Sequence, residues 1–142
     1  MDVARYLGID FGRRRIGLAI GDDELRIAAP LEQLTAAGAV DRDAAAVAAV
    51  ARRESVGALV VGLPIHMNGA LGAEAQEVRR FAAALRLVWS GAIHEQDERL
   101  TSVAADEALA AGGLGRDARR ARRDMLAAAA MLQMFLDGMP RQ

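Results

Sequence analysis

Three acidic positions of the sequence stand where predicted strands or helices end or begin, so their carboxylates could meet at one site. Asp10 closes an apolar run that is typical of a strand, and Asp97-Glu98 close a later strand. Asp124 lies early in a very apolar final helix. Because parallel strands share their carboxyl ends, the edge at which α/β sheets bind ligands, we expect Asp10 and Glu98 to emerge together. A final helix that packs across this edge would add Asp124.

Converging carboxylates without basic partners would repel one another and raise one another's pKa values. Mg²⁺ or Mn²⁺ resolves this conflict, because hard divalent ions bind carboxylate oxygens. Two such ions about 4 Å apart can activate a water molecule and stabilise the leaving oxygen in phosphodiester hydrolysis. The pattern therefore predicts Asp10, Glu98 and Asp124 as catalytic residues and as ligands of two Mg²⁺ or Mn²⁺ ions.

The same carboxylates could instead form surface ion pairs, which are common in soluble proteins. Their partners would be arginines nearby in the sequence: Arg13 or Arg15 for Asp10, Arg99 for Asp97 or Glu98, and Arg120 for Asp124. In this interpretation the acidic positions take no part in catalysis.

Arginine supplies all of the side-chain positive charge, since the chain has 18 basic residues and no lysine. The net charge of −1 does not indicate a generally cationic nucleic-acid binder. Arginine clusters at residues 13–15 and 116–123 could nevertheless bind phosphates locally. Another phosphate could bind at VVGLPIHMNGALG (60–72), where a predicted strand leads through a Gly-rich turn into a helix, because backbone N–H groups at a helix N-terminus hold anions.

The elements that must position these residues follow one another in an order that predicts an α/β fold. Three strands joined by short turns come first, and two strands reached through helices follow. We expect strands at 3–10, 15–20, 25–31, 58–64 and 91–99, and helices at 41–53, at 70–88, from Thr101 or Ser102 to Gly112-Gly113, and at 118–136. Asp41 or Asp43 is the predicted N-cap of the first helix.

These strands predict a mixed five-stranded sheet flanked by helices, made of a three-stranded antiparallel meander and two parallel strands. The first strand would lie in its centre, and the weakly apolar fifth strand would lie at an edge. Alternation along the first strand places Tyr6, Gly8 and Asp10 on one face of the sheet. Ribonuclease H-like domains have this plan, although many α/β domains could share it.

Length and composition indicate one soluble domain over residues 1–142. The chain is 53% hydrophobic and 26% charged, which is enough for a single core without a sign of disorder. The longest apolar stretch, residues 125–136, is too short to span a bilayer, and no signal segment is recognised. Because the chain has no cysteine, disulfides and thiolate chemistry are excluded. We expect a cytoplasmic protein that does not associate with membranes.

Four segments, in this order and spacing, resemble the YqgF/RuvX family: LGIDFGRRRIGLAIGD, VVGLPIHMNGALG, DERLTS and RRDMLAAAAMLQ. The resemblance extends over residues 7–136. It implies a ribonuclease H-like fold and a cytoplasmic bacterial nuclease that trims the 5′ end of precursor 16S ribosomal RNA, while some members are associated with cutting branched DNA. The acidic positions of the family fall on Asp10, Glu98 and Asp124.

The chain departs from the family pattern in two places. His66 stands where Asn is frequent, and Asn68 stands where Asp is frequent before Gly, so the contacts of this loop to substrate could differ. In related resolvases an acid follows the fourth strand, whereas here that strand ends in Gly62-Leu63-Pro64. The acid must then come from the fifth strand, one position further out, and the longer side chain favours Glu98 over Asp97.

The leading hypothesis is a metal-dependent nuclease that acts on structured nucleic acid, with the 5′ end of precursor 16S rRNA as its first candidate substrate. Its predicted nucleic-acid contacts are Arg13, Arg14, Arg15, Asn68, Gly69, Arg99, Arg119, Arg120 and Arg123. One alternative is a Holliday-junction-resolvase-like DNA endonuclease. Symmetric cutting of a four-way junction would require a homodimer, which the apolar last helix could build, although a central core helix explains its composition equally well.

Two hypotheses of other classes stay open from the sequence. A non-catalytic module for ribosome assembly or DNA-junction binding would carry the three carboxylates as surface ion pairs. An actin-like nucleotide phosphotransferase is suggested by GIDFG, which resembles the phosphate-binding hairpin of that class. That fold needs two such lobes around the nucleotide, and 142 residues supply one.

Overall fold

The computed structural model describes residues 3–65, 69–98 and 116–140, and for residues 116–124 it describes the backbone alone. Within these ranges the chain forms five strands and three helices. The strands are β1 (Arg5–Phe11), β2 (Arg15–Asp22), β3 (Ala29–Thr35), β4 (Ala58–Leu63) and β5 (Ala92–Asp97). The helices are α1 (Val40–Arg53), α2 (Ala73–Val88) and α3 (Arg116–Asp137). None of these helices is long and apolar enough to cross a membrane.

The five strands form one mixed sheet in the order β3-β2-β1-β4-β5. β1, β2 and β3 pair antiparallel because short turns join them, while β4 and β5 run parallel to β1 because helices return the chain between them. The predicted central position of β1 and the predicted edge position of the fifth strand are confirmed. The carboxyl ends of β1, β4 and β5 therefore meet at one edge of the sheet.

Helices cover both faces of the sheet, and the alternation along β1 sorts its side chains between them. Leu7 and Ile9 belong to the larger core, which α1 and α2 complete with residues such as Phe81. The opposite face, which carries Tyr6, packs against buried residues of α3 such as Met131. The apolar composition of the last helix is thus explained by burial against the sheet, which was one of the two options that the sequence left open.

Gly8 on β1 allows α3 to lie directly against the sheet. A Cβ atom added at Gly8 would lie 2.8 Å from the Cβ of Leu132 and 3.3 Å from the carbonyl oxygen of Ala128. Both neighbours belong to the body of the helix, so α3 would have to move away. The α3 face of the sheet therefore tolerates no side chain at this position.

We expect Gly8→Ala to lower the free energy of unfolding by about 1 to 3 kcal/mol, the usual cost of overpacking. The urea midpoint measures this change. Gly57→Ala is a suitable control, because a Cβ atom there would approach only the carbonyl oxygen of Arg5, at 3.9 Å. Equal midpoints for the two variants would contradict the close contact between β1 and α3.

The predicted bounds of the third strand are wrong, because residue 25 ends a turn, residues 26–28 are irregular and the strand continues to Thr35. The carboxylate of Asp22 accepts hydrogen bonds from the backbone N–H groups of Glu24 and Leu25, at 2.9 and 2.7 Å. The chain then passes through Arg26 in the left-handed region, with φ of 56°. The strand begins at Ala29, so Pro30 lies near the start of an edge strand and not at its end.

The predicted N-cap of the first helix is also wrong. Ala39 is the N-cap, and it makes no side-chain capping hydrogen bond. Asp41 and Asp43 lie inside the first turn, where negative charge favours the helix dipole. The buried carboxylate of Asp43 accepts the N–H of Ala37 at 2.7 Å, so it binds the chain before the helix. The predicted helix from Thr101 or Ser102 lies outside the described residues.

Candidate active site

Asp10 and Glu98 lie at the edge of the sheet where the parallel strands end, and both belong to the same face of the sheet. Glu98 directly follows β5, and its backbone N–H extends the parallel ladder by donating to the carbonyl of Leu63 at 3.1 Å. In the register of β4 and β5, Gly62 lies opposite Gln96, so alternation puts Glu98 on the α3 face. Asp10 lies on the same face. The intervening residue, Asp97, belongs to the opposite face.

Gly62 on β4 provides the space that Glu98 occupies. A Cβ atom at Gly62 would overlap Oε2 of Glu98 and would lie 3.1 Å from its Cδ and 3.2 Å from Cγ of Met131. The side chain of Glu98 therefore reaches back across β4 toward β1 through a gap that only glycine leaves. The sequence suggested that a longer side chain was needed, but the role of Gly62 required knowledge of the strand register.

The carboxyl group of Glu98 is in an environment that disfavours its charge. Burial, the nearby charge of Asp10 and a hydrogen bond with Asp10 raise the pKa of Glu98 from 4.5 to about 9. Glu74 and Asp97 add smaller repulsive contributions. At neutral pH, and without a cation, the carboxyl group of Glu98 is consequently protonated.

We expect Glu98→Gln to stabilise the cation-free protein increasingly as the pH rises. The folded state binds the Glu98 proton up to about pH 9 and the unfolded state only up to about pH 4.5, so wild-type stability falls across this window. Glutamine resembles the protonated acid and does not titrate. The gain should be about 4 kcal/mol larger at pH 8 than at pH 5, measured by urea unfolding in a chelator. An equal gain at both pH values would contradict the buried, protonated state.

A cavity of about 680 Å³ opens beside this carboxyl pair. Arginines 13–15, from the turn between β1 and β2, line one side. The first turns of α2 line another side with Glu74 and Glu77, which the sequence analysis missed. Two glutamates three residues apart, just after a Gly-rich turn, were the available signal, because they lie on one helix face. The cavity therefore combines the predicted acids with the predicted phosphate-binding arginines.

Arg13 contacts α2 through Glu77. Its Nε donates to both carboxylate oxygens of Glu77, at 3.0 and 2.9 Å, and its Nη2 lies 2.5 Å from Oε1. This bidentate pair raises the pKa of Arg13 and lowers the pKa of Glu77 through their hydrogen bonds. The sequence offered Arg13 or Arg15 as a partner of Asp10, and the structure pairs Arg13 with Glu77 of α2.

The structure describes the other predicted site residues only in part. Gly69 is described, with φ of 87°, but it does not line the cavity. Asp124 lies in the first half of α3 together with three of the predicted phosphate-binding arginines, and their side chains are outside the description: Arg119, Arg120 and Arg123. Asn68 and Arg99 lie outside the described residues, as does His66.

The donor chemistry of Asp10 and Glu98 fits a hard divalent cation, since both supply carboxylate oxygens. The proton of Glu98 is what a cation would replace, because metal binding to carboxylates releases protons. Among the described side chains, no three His, Asp or Glu residues stand close enough together to hold an ion. Two of the three predicted ligands, Asp10 and Glu98, belong to that described set.

Comparison with known sequences places these features in a family. The profile of the RuvX family, which is described as Holliday junction resolvase, matches residues 4–138. A protein of Anaeromyxobacter sp. (strain Fw109-5) named "Putative pre-16S rRNA nuclease" is 43% identical over 134 residues, 94% of this chain and 97% of the relative. A protein of Synechococcus elongatus with the same name is 42% identical and covers 92% of this chain and 87% of the relative.

Solved structures share the fold at low sequence identity. Thermus thermophilus RuvC in complex with a Holliday junction substrate superimposes with a TM-score of 0.60, at 21% identity over 94% of each chain. The large terminase nuclease of thermophilic phage G20c gives a TM-score of 0.55, at 12% identity over 94% of this chain and 82% of that chain. The fold is therefore ribonuclease H-like, as predicted. With a family profile that matches nearly the whole sequence, the chain belongs to the RuvX family.

Proposed function

We propose that the protein is a divalent-metal-dependent nuclease that hydrolyses phosphodiester bonds of structured nucleic acid, and that its substrate is the 5′ end of precursor 16S rRNA. The observation that carries this proposal is the Asp10–Glu98 carboxyl pair beside an arginine-lined cavity at the carboxyl edge of the sheet. The names of its relatives support the choice of substrate. This function implies a cytoplasmic protein.

Asp10, Glu98 and Asp124 would hold two Mg²⁺ or Mn²⁺ ions. Bound ions would supply activation of the attacking water and stabilisation of the leaving oxygen. Asp10 projects from a central strand and Glu98 reaches toward it across Gly62, and this arrangement supports a role of both carboxyl groups in holding metal.

The arginines of the turn between β1 and β2 would bind phosphates that flank the scissile bond. Arg13, Arg14 and Arg15 all line the cavity, and guanidinium groups match the geometry of phosphate oxygens. The other positively charged or loop contacts would extend the binding surface around the cavity: Asn68, Gly69, Arg99, Arg119, Arg120 and Arg123.

A second candidate substrate is branched DNA, because the family profile is described as Holliday junction resolvase. Both substrates require the same chemistry at Asp10 and Glu98. They differ in what must surround it, since symmetric cutting of a four-way junction needs two active sites and hence a homodimer.

A cleavage assay on matched substrates tests the proposal. The purified chain should trim a precursor 16S rRNA fragment that carries its 5′ extension in Mg²⁺ or Mn²⁺, and cleavage should stop in a chelator. A mature 5′ end of the same sequence and a linear DNA duplex are the controls. Preferential cutting of a synthetic four-way junction would reassign the substrate to branched DNA. If none of these substrates is cleaved with either metal, the proposed nuclease function is refuted.

A further inference from the structure

The ion pair between Arg13 and Glu77 uses only one edge of the guanidinium group. Arginine presents five N–H donors in a planar fork, and the donors at Nε and Nη2 lie on one side of it. Both of these nitrogens contact the Glu77 carboxylate. The side chain of Arg13 is exposed, so the Nη1–Nη2 edge, which faces away from Glu77, is accessible to solvent. One edge of the group is thus held by protein, and the other is available to a ligand.

The two partners differ in exposure in a way that assigns their roles. The side chain of Glu77 is 24% exposed and sits on α2, whereas that of Arg13 is 77% exposed and sits on a turn. Glu77 is therefore the fixed partner and Arg13 is the presented one. An ion pair this exposed contributes little to folding stability, because water screens it and two long side chains must be ordered. The contribution of the ion pair to folding stability therefore does not explain why the two side chains are so well aligned.

The location of the pair supplies the explanation. Arg13 follows Asp10 by three residues, and Arg13 and Glu77 line the same cavity as Asp10 and Glu98. We propose that Glu77 is a positioning residue, which holds Arg13 by its Nε–Nη2 edge so that its Nη1–Nη2 edge binds a backbone phosphate next to the carboxyl pair. This inference rests on the proposed function, because it assumes that nucleic acid occupies the cavity.

The inference predicts the opposite sign from simple electrostatics. Removing a negative charge from a cavity that binds a polyanion should strengthen binding, because the unfavourable repulsion is lost. If Glu77 orients Arg13, however, its removal should weaken binding. Glu74 is a matched comparison, since it lies one turn earlier on α2, lines the same cavity and raises the pKa of Arg13 through its charge.

The test is the dissociation constant of a fluorescently labelled structured RNA, the precursor 16S fragment described above, at several salt concentrations in a chelator. Glu77→Gln should weaken binding about fivefold, the loss expected when one charged hydrogen bond is misplaced. Glu74→Gln should strengthen binding. Arg13→Ala should weaken binding. It should also reduce the dependence of the dissociation constant on salt concentration by the amount expected for about one phosphate contact. In an Arg13→Ala background, Glu77→Gln should no longer weaken binding.

Several outcomes overturn the inference. Tighter binding by Glu77→Gln would show that Glu77 masks Arg13, and a loss that persists in the Arg13→Ala background would show that Glu77 does not act through Arg13. Failure of the wild-type chain to bind the RNA would also overturn it. The proposed function fails separately: the expected binding pattern without metal-dependent cleavage refutes only the nuclease. Cleavage by the wild type with an unchanged dissociation constant for Glu77→Gln refutes only the positioning role.

Discussion

Replacing Asp10 by asparagine is expected to abolish metal-dependent cleavage while leaving the fold intact. Asparagine keeps the size of the side chain but lacks the negative charge and the second carboxylate oxygen that a divalent cation requires. Since Asp10 is a proposed metal ligand, the cleavage rate should fall by about a thousandfold or more. Single-turnover cleavage with excess enzyme separates this loss from any change in binding.

The thermal stability of Asp10→Asn without a cation should not fall as its cleavage rate does. Asp10 repels the buried carboxyl group of Glu98, and this repulsion is part of what raises the pKa of Glu98 to about 9. Asparagine removes the repulsion and still offers an oxygen to the Glu98 proton. At neutral pH, where Glu98 is protonated, the thermal midpoint in a chelator should therefore stay close to the wild-type value, and it should rise above that value near pH 9, where Glu98 begins to ionise. Unimpaired cleavage by Asp10→Asn would remove Asp10 from the mechanism.

Asp97→Asn is the matched control for this experiment. It makes the same change in charge one residue before Glu98, but alternation places Asp97 on the opposite face of the sheet. Its cleavage rate should stay within a few fold of the wild-type rate. A loss as large as that of Asp10→Asn would show that Asp97 shares the role assigned to Glu98.

Gly62→Ala is expected to disable the site although it substitutes no charged residue. The added methyl group would overlap Oε2 of Glu98 and press against Cγ of Met131, which lies 3.2 Å from the position of the new atom. The carboxylate is the far end of a flexible side chain, so it can move aside at little cost to folding. A displacement of about 1 Å in a catalytic group can reduce the rate about a hundredfold, and we expect a loss of that size.

Two measurements distinguish this displacement from a general disturbance of the sheet. The urea midpoint of Gly62→Ala should change much less than that of Gly8→Ala, whose contacts lie in the body of α3. Gly57→Ala, just before the same strand, should cleave at the wild-type rate. If Gly62→Ala cleaves normally, the position of Glu98 across β4 is not required for activity.

The sequence was sufficient to predict the sheet and the meeting of Asp10 and Glu98, because both follow from local pattern. Asp10 and Glu98 end apolar or extended runs, and the order of strands and helices determines that these runs are parallel, with β4 between them, and end at the same edge of the sheet. The boundaries of β3 could not be found in this way. They depend on hydrogen bonds to the side chain of Asp22 and on the left-handed backbone of Arg26.

The finer construction of the site depends on contacts between residues distant in sequence. In the sequence, Gly62 is an ordinary interruption of an apolar strand. Only the register with β5 shows that Glu98 occupies the space beside it. Arg13 and Glu77 are 64 positions apart, and nothing in the local sequence pairs them. Position in three dimensions, and not residue type, decides which of many arginines and glutamates line the cavity.

The outer strands of the sheet restrict how two copies of the chain could join. Pro30 lies in β3 and has no N–H to donate, and Glu95 on β5 is exposed, with arginines 79 and 86 of α2 both 3.8 Å from its carboxylate. Proline and charged side chains are devices that keep edge strands from pairing with other chains. A homodimer able to cut both arms of a junction would therefore join through helices or loops, and each sheet would end where it ends in the single chain.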